Sequence, residues 1–158
     1  MTTLAWDGRI LAADTRYTQG GCLYGYCRKI QLLNNGQVLA VSGELGYAKM
    51  LRDCLENNKP ITEFLEKKEL KKFGALLLDV ENNLWYFDDS YRGFVSVDEH
   101  LTAEGSGNEI ALAFLRQGYT AKNAIRAVSK VHVSTNNIID TYDSETKELV
   151  LAEFPKGT

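Results

Sequence analysis

A chain of 158 residues with 44% hydrophobic and 25% charged side chains has the balance of an ordinary soluble globular protein, which argues against disorder and against a membrane class. Its length suits a single domain, residues 1–158, with a sizeable core. A net charge of -3 gives no basic field for nucleic acid, and Lys67, Lys68, Lys71 and Lys72 read as the solvated face of a helix.

In chain order, residues 2–6 and 9–14 are short strand-like runs on either side of Asp7-Gly8, a dipeptide that favours a tight hairpin. After a glycine-rich passage, residues 29–33 and 38–42 form a second strand pair around Asn34-Asn35-Gly36, so that four strands are expected before any helix. From Glu44 the apolar residues Tyr47, Met50, Leu51, Cys54 and Leu55 recur near helical spacing until Asn57, Asn58 and Pro60 stop them. A second helix is predicted to start near Thr62 and to include Phe64 and Leu65. Residues 74–80 and 84–87 are predicted strands around Glu81-Asn82-Asn83, followed by an extended segment at 93–97. Helices over 108–116 and 121–131 flank Gly118, and residues 138–142 and 149–154 read as a last hairpin. Antiparallel hairpins in place of repeated βαβ units imply two sheets covered by helices.

Cys22, Cys27 and Cys54 are odd in number, no secretory signal is recognised before them, and no apolar run approaches the roughly 18 residues of a membrane span. A reducing, cytoplasmic setting is expected, with the thiols as small buried hydrophobes. Cys22 and Cys27 are not spaced as zinc ligands, and His100 and His132 stand far off, so no metal site is expected.

The residues behind Met1 carry the chemistry. Thr2-Thr3 opens the chain, followed by Ala12-Ala13-Asp14-Thr15-Arg16, Arg28-Lys29-Ile30 and Val41-Ser42-Gly43. A threonine hydroxyl is a poor nucleophile alone, but once Met1 is removed the α-amine of Thr2 lies beside it and can act as general base.

Layout and motifs together resemble the proteasome β-subunit family, most closely its short bacterial HslV branch. The resemblance runs through Thr2-Thr3, Asp14-Thr15-Arg16, Thr18 and Gly20, Lys29-Ile30, Ser42-Gly43, Gly105-Ser106-Gly107 and Thr135-Asn136. It implies an α+β fold, the four-layer αββα sandwich of N-terminal-nucleophile hydrolases, with two antiparallel sheets flanked by helices. It also implies a threonine endopeptidase in which Thr2 is the nucleophile and Lys29 a nearby cation that favours deprotonation of neighbouring groups. Asp14 would hold the Lys29 ammonium in place, and the Gly43 backbone N–H would stabilise the oxyanion, glycine permitting close approach of a peptide carbonyl. Ser106 and Thr135 would support the threonine amine and the catalytic water.

By the same correspondence Tyr17, Thr18, Cys27, Val41 and Leu45 are the substrate-binding residues, and the largely apolar set at Tyr17, Cys27, Val41 and Leu45 implies a preference for apolar or aromatic side chains on the acyl side of the cut. Family members assemble as homo-oligomeric rings or double rings that admit unfolded protein or peptide. Nothing in the chain encodes ATP binding, so a separate ATPase unfoldase is implied where substrates are folded. No cofactor is expected for catalysis; the family sometimes has a monovalent cation site in its late loops. The position at which proteasome subunits carry an aspartate aligns with His132, which stands between Val131 and Val133 in an apolar run and reads as a satisfied core histidine. Two other readings stay open: an amidohydrolase of the same class acting on a small amide, and a catalytically silent ring or scaffold that keeps Met1.

Overall fold

The computed structural model describes residues 2–19, 22–65, 73–88, 93–98 and 100–156. The chain divides into two compact units, one formed by residues 1–30 with 100–158 and the other by residues 31–99.

In the first unit, β1 (Thr3–Trp6) and β2 (Ile10–Asp14) form the expected hairpin, with Gly8 taking the positive φ of 97° that the turn demands. They lie inside a five-stranded antiparallel sheet ordered β10-β1-β2-β11-β12, completed by β10 (Thr102–Gly105), β11 (Ile139–Asp143) and β12 (Glu148–Val150). Helices α3 (Asn108–Arg116) and α4 (Ala121–Ser129) cover one face, packing Leu115, Ala121, Ala124 and Ile125 against Ala5, Ala12 and Ile139. Thr120 caps α4 by accepting the Asn123 N–H, which meets one of the orphan donors of a helix start.

The glycine-rich passage holds a hairpin of its own, β3 (Arg16–Gln19) and β4 (Cys22–Tyr26), so six strands and not four precede the first helix. Residues 27–29 have no strand assignment, and Lys29 stands just before the next strand. The tail also departs from expectation: pairing stops at Val150, and 151–156 run on as irregular chain.

The second unit carries the sheet β5-β6-β7-β8-β9, from β5 (Ile30–Leu32), β6 (Val38–Ser42), β7 (Gly74–Leu78), β8 (Leu84–Asp88) and β9 (Val95–Ser96). Helices α1 (Leu45–Glu56) and α2 (Ile61–Leu65) belong to this unit; Leu51, Cys54 and Phe64 pack with Leu39, Val41, Leu77 and Phe87. The basic run at 67–72 lies outside the described residues. Each unit thus holds a five-stranded antiparallel sheet with two helices, the α, β, β and α components expected, and the first also carries the two-stranded β3–β4 sheet.

Candidate active site

The strand that begins at Thr3 is held at its first peptide bond. The Thr2 carbonyl accepts the Ser106 N–H at 2.8 Å, with the Ser106 hydroxyl at 3.4 Å. At the other end of the same peptide, the Thr3 N–H donates to Asp14 Oδ1 at 2.9 Å. A peptide fixed at both its carbonyl and its N–H has no freedom to rotate, so the Thr2 Cα and the atoms it carries have a set direction.

Two glycines make that approach possible. A Cβ at Gly105, where φ is 96°, would lie 2.0 Å from the Thr2 carbonyl oxygen, and one at Gly107 would lie 2.3 Å from Thr3 Oγ1 and 2.7 Å from Val128 Cγ1. All three distances are too short for a side chain, so glycine is required on each side of Ser106. Ser106 is legible in the sequence, whereas the reason for its flanking glycines lies about 100 residues away at the start of β1.

Asp14 is the hub. It is fully buried at the end of β2, and its Oδ1 also accepts from Lys29 Nζ at 2.7 Å, Lys29 being only 3% exposed. Its Oδ2 accepts the backbone N–H groups of Arg16 and Asn136, each at 3.3 Å. Every lone-pair position of the carboxylate therefore has a donor, the condition under which a buried charge is tolerated. The Lys29 ammonium is thereby one carboxylate oxygen away from the peptide that follows Thr2.

Strand alternation sends Thr3 toward the helices, where its hydroxyl meets Thr135 Oγ1 at 2.7 Å. Thr135 thus reaches the opening strand through Thr3, a residue that sequence reasoning left without a role. Asn136 ties the same loop to β2, accepting the Thr15 N–H at 3.0 Å and donating its amide N–H to Thr15 Oγ1 at 3.1 Å. Thr2 lies on the alternate register, buried at 5% exposure.

Of the predicted site residues, Thr2, Asp14, Lys29, Ser106 and Thr135 fall in the first unit and are joined by these bonds. Tyr17 and Thr18 are half-buried on β3 at a bulge between them, and Cys27 is half-buried in the loop before Lys29. Burial pushes the Cys27 thiol above its ordinary value, with the Lys29 ammonium pulling the other way. Cys54 is buried in the core as expected, Cys27 is less buried than expected, and the side chain of Cys22 is not among those described. Gly43, Val41 and Leu45 belong to the second unit. There Gly43 closes β6 with φ 107°, Val41 is packed in the hydrophobic core, and Leu45 is exposed at the start of α1.

His132 is not the satisfied core histidine its neighbours implied. Val131 and Val133 are 69% and 86% exposed, because α4 ends at Ser129 and the run that follows is a turn in place of a packed strand or helix. His132 Nδ1 is buried with no hydrogen-bond partner among the described residues. Among those residues no group of three His, Cys, Asp or Glu side chains is placed to hold a metal ion, and no helix is long and apolar enough to cross a membrane.

No family profile matches the sequence, and no curated protein matches it. Solved structures do match. The fold they share with this chain is the α+β, αββα arrangement that the resemblance implied. More narrowly it is the fold of HslV: the crystal structure of eukaryotic HslV from Trypanosoma brucei is similar with a TM-score of 0.70 at 19% identity, covering 89% of this chain and 97% of that one.

Proposed function

We propose that the chain is a threonine-type peptidase subunit that hydrolyses peptide bonds in unfolded proteins or peptides, with Thr2 as nucleophile once Met1 is removed. The observation that carries the reading is the clamped Thr2–Thr3 peptide, held by Ser106 on one side and by the Asp14–Lys29 pair on the other. The bond from Ser106 continues the β1–β10 ladder, as any strand start would; what an ordinary strand start does not need is a buried ammonium on the carboxylate oxygen that takes its N–H.

In the reaction, Thr2 Oγ adds to the scissile carbonyl carbon while its proton passes to the freed α-amine, through water where the geometry requires it. Lys29 favours the negative charge that develops on the attacking oxygen. Collapse of the tetrahedral species breaks the C–N bond, the α-ammonium returns the proton to the leaving amine, and an ester to Thr2 remains. Water, deprotonated by the same amine, then cleaves the ester and restores the hydroxyl. No metal or organic cofactor enters these steps. The HslV-type fold supports assembly into a homo-oligomeric ring fed by a separate unfoldase, and the half-buried Tyr17 and Cys27 suit an apolar acyl-side residue.

A panel of short fluorogenic peptides tests this. Wild-type protein lacking Met1 should cleave after apolar residues, Thr2→Ala should abolish cleavage, and Lys29→Met should lower kcat by on the order of 10²–10⁴. Full cleavage by Thr2→Ala would overturn the assignment, and turnover of small amides without peptides would replace it with an amidohydrolase.

A further inference from the structure

We propose that Arg28, Asp140 and Phe154 form a clasp that fixes the loop carrying Lys29, making the irregular segment after β12 a positioning element for the candidate active site. Its effect on rate rests on the peptidase reading; the clasp itself rests on the geometry.

Lys29 has to hold one orientation, yet it lies on a loop, residues 27–29, that no strand ladder supports. One tie to the body of the unit is the Cys27 N–H, which donates to the Thr15 carbonyl at 2.8 Å. A second is Arg28, whose Nη1 donates to Asp140 Oδ1 at 2.7 Å and whose guanidinium lies 3.7 Å from the centre of the Phe154 ring. Phe154 also stacks on Tyr26 at 5.2 Å between ring centres, and the Ala152 N–H donates to the same Asp140 oxygen at 2.9 Å. The segment after β12 therefore grips both residues 26 and 28, on either side of the Cys27 anchor.

The register shows why this bears on Lys29. Asp140 is paired with Ala13, and its neighbour Ile139 with Asp14, so the two carboxylates come from adjacent rungs of the β2–β11 ladder and leave it on opposite faces. Each takes one of two consecutive basic residues, Asp14 taking Lys29 and Asp140 taking Arg28. The loop is spanned between them. As mere packing Asp140 is a poor choice, since it is fully buried and its Oδ2 has no partner among the described residues. What it secures is the direction of Arg28, and through the backbone that of Lys29.

Cys27 reports on the loop without reference to activity, and Cys54, buried in the other unit, reports on general loosening. Alkylation of both thiols in native protein would be followed by peptide mass spectrometry, alongside the rate at which an epoxyketone captures the N-terminal threonine. Phe154→Ala and Asp140→Asn should each raise Cys27 labelling by about tenfold, leave Cys54 unchanged and slow capture, while Phe154→Tyr restores the wild-type rates. Equal Cys27 rates in wild type and Phe154→Ala, or a parallel rise at Cys27 and Cys54, would overturn the clasp. Wild-type protein that takes no adduct would overturn the peptidase reading and leave the Cys27 rates to decide the clasp by themselves.

Discussion

Beneath the helices of the first unit four of the seven buried residues are alanines, Ala5, Ala12, Ala121 and Ala124, with Leu115, Ile125 and Ile139 as the larger fillers. The second unit is filled by aromatic rings, Phe64, Phe73 and Phe87 meeting one another at 5.5 to 5.9 Å between centres, with Phe94 packed on Phe87. The contrast separates two uses of burial. Large rings give the most apolar area per residue and the most stability. Alanines and glycines give less, but they let backbone approach backbone, and only such close approach brings a peptide N–H, a carboxylate and an ammonium to one point. In the first unit that close approach is made at Gly105 and Gly107, beside Thr2, Thr3 and Ser106.

Breaking the close approach should have the largest effect. Gly105→Ala puts a methyl group against the Thr2 carbonyl at a positive φ, and is expected to cost about 4 kcal/mol or more, read as the shift in the denaturant midpoint. A shift below about 0.5 kcal/mol would show that the opening strand is not held there. In the second unit Phe87→Ala is expected to cost about 3–5 kcal/mol through the cavity it leaves, with threonine capture by the folded fraction unchanged. Loss of capture in that variant would erase the contrast between the two cores.

Thr135→Val keeps the shape but strands the Thr3 hydroxyl, for an expected cost of about 1–2 kcal/mol that Thr135→Ser should avoid. The smallest effect lies at the surface. Asp143 is held down to about 2 chiefly by the hydrogen bond from Arg9, so its folded value lies below the ordinary 3.8. Its contribution is therefore present above the ordinary value and is lost as pH falls through the folded one. The acid limb of a stability profile should flatten slightly in Asp143→Asn.

Much of this was legible where the signal is local. Asp7-Gly8 and Asn34-Asn35-Gly36 announced their turns, and Gly8 and Gly36 take positive φ there. Asp14 and Lys29 were picked out together and form a buried pair. What escaped depends on partners far along the chain. The strand β10 is short and only half-buried, too brief for its own residues 102–105 to announce it, and it is held by its pairing with β1. The hairpin of β3 and β4 was hidden by its glycines. Thr3 carried no assigned role, because its partner Thr135 stands 132 residues on. The Val131-His132-Val133 run misled for the opposite reason, since an apolar triplet after a helix carries no information about whether any surface comes to cover it.

The central claim is that Thr2 becomes a terminal nucleophile, and the intact mass of the purified protein before and after treatment with an epoxyketone or β-lactone tests it most directly. The account predicts a mass lacking Met1 and a single adduct that is absent in Thr2→Ala. A mass that retains Met1 and takes no adduct would contradict it, and would point instead to a silent ring or scaffold built on the same fold.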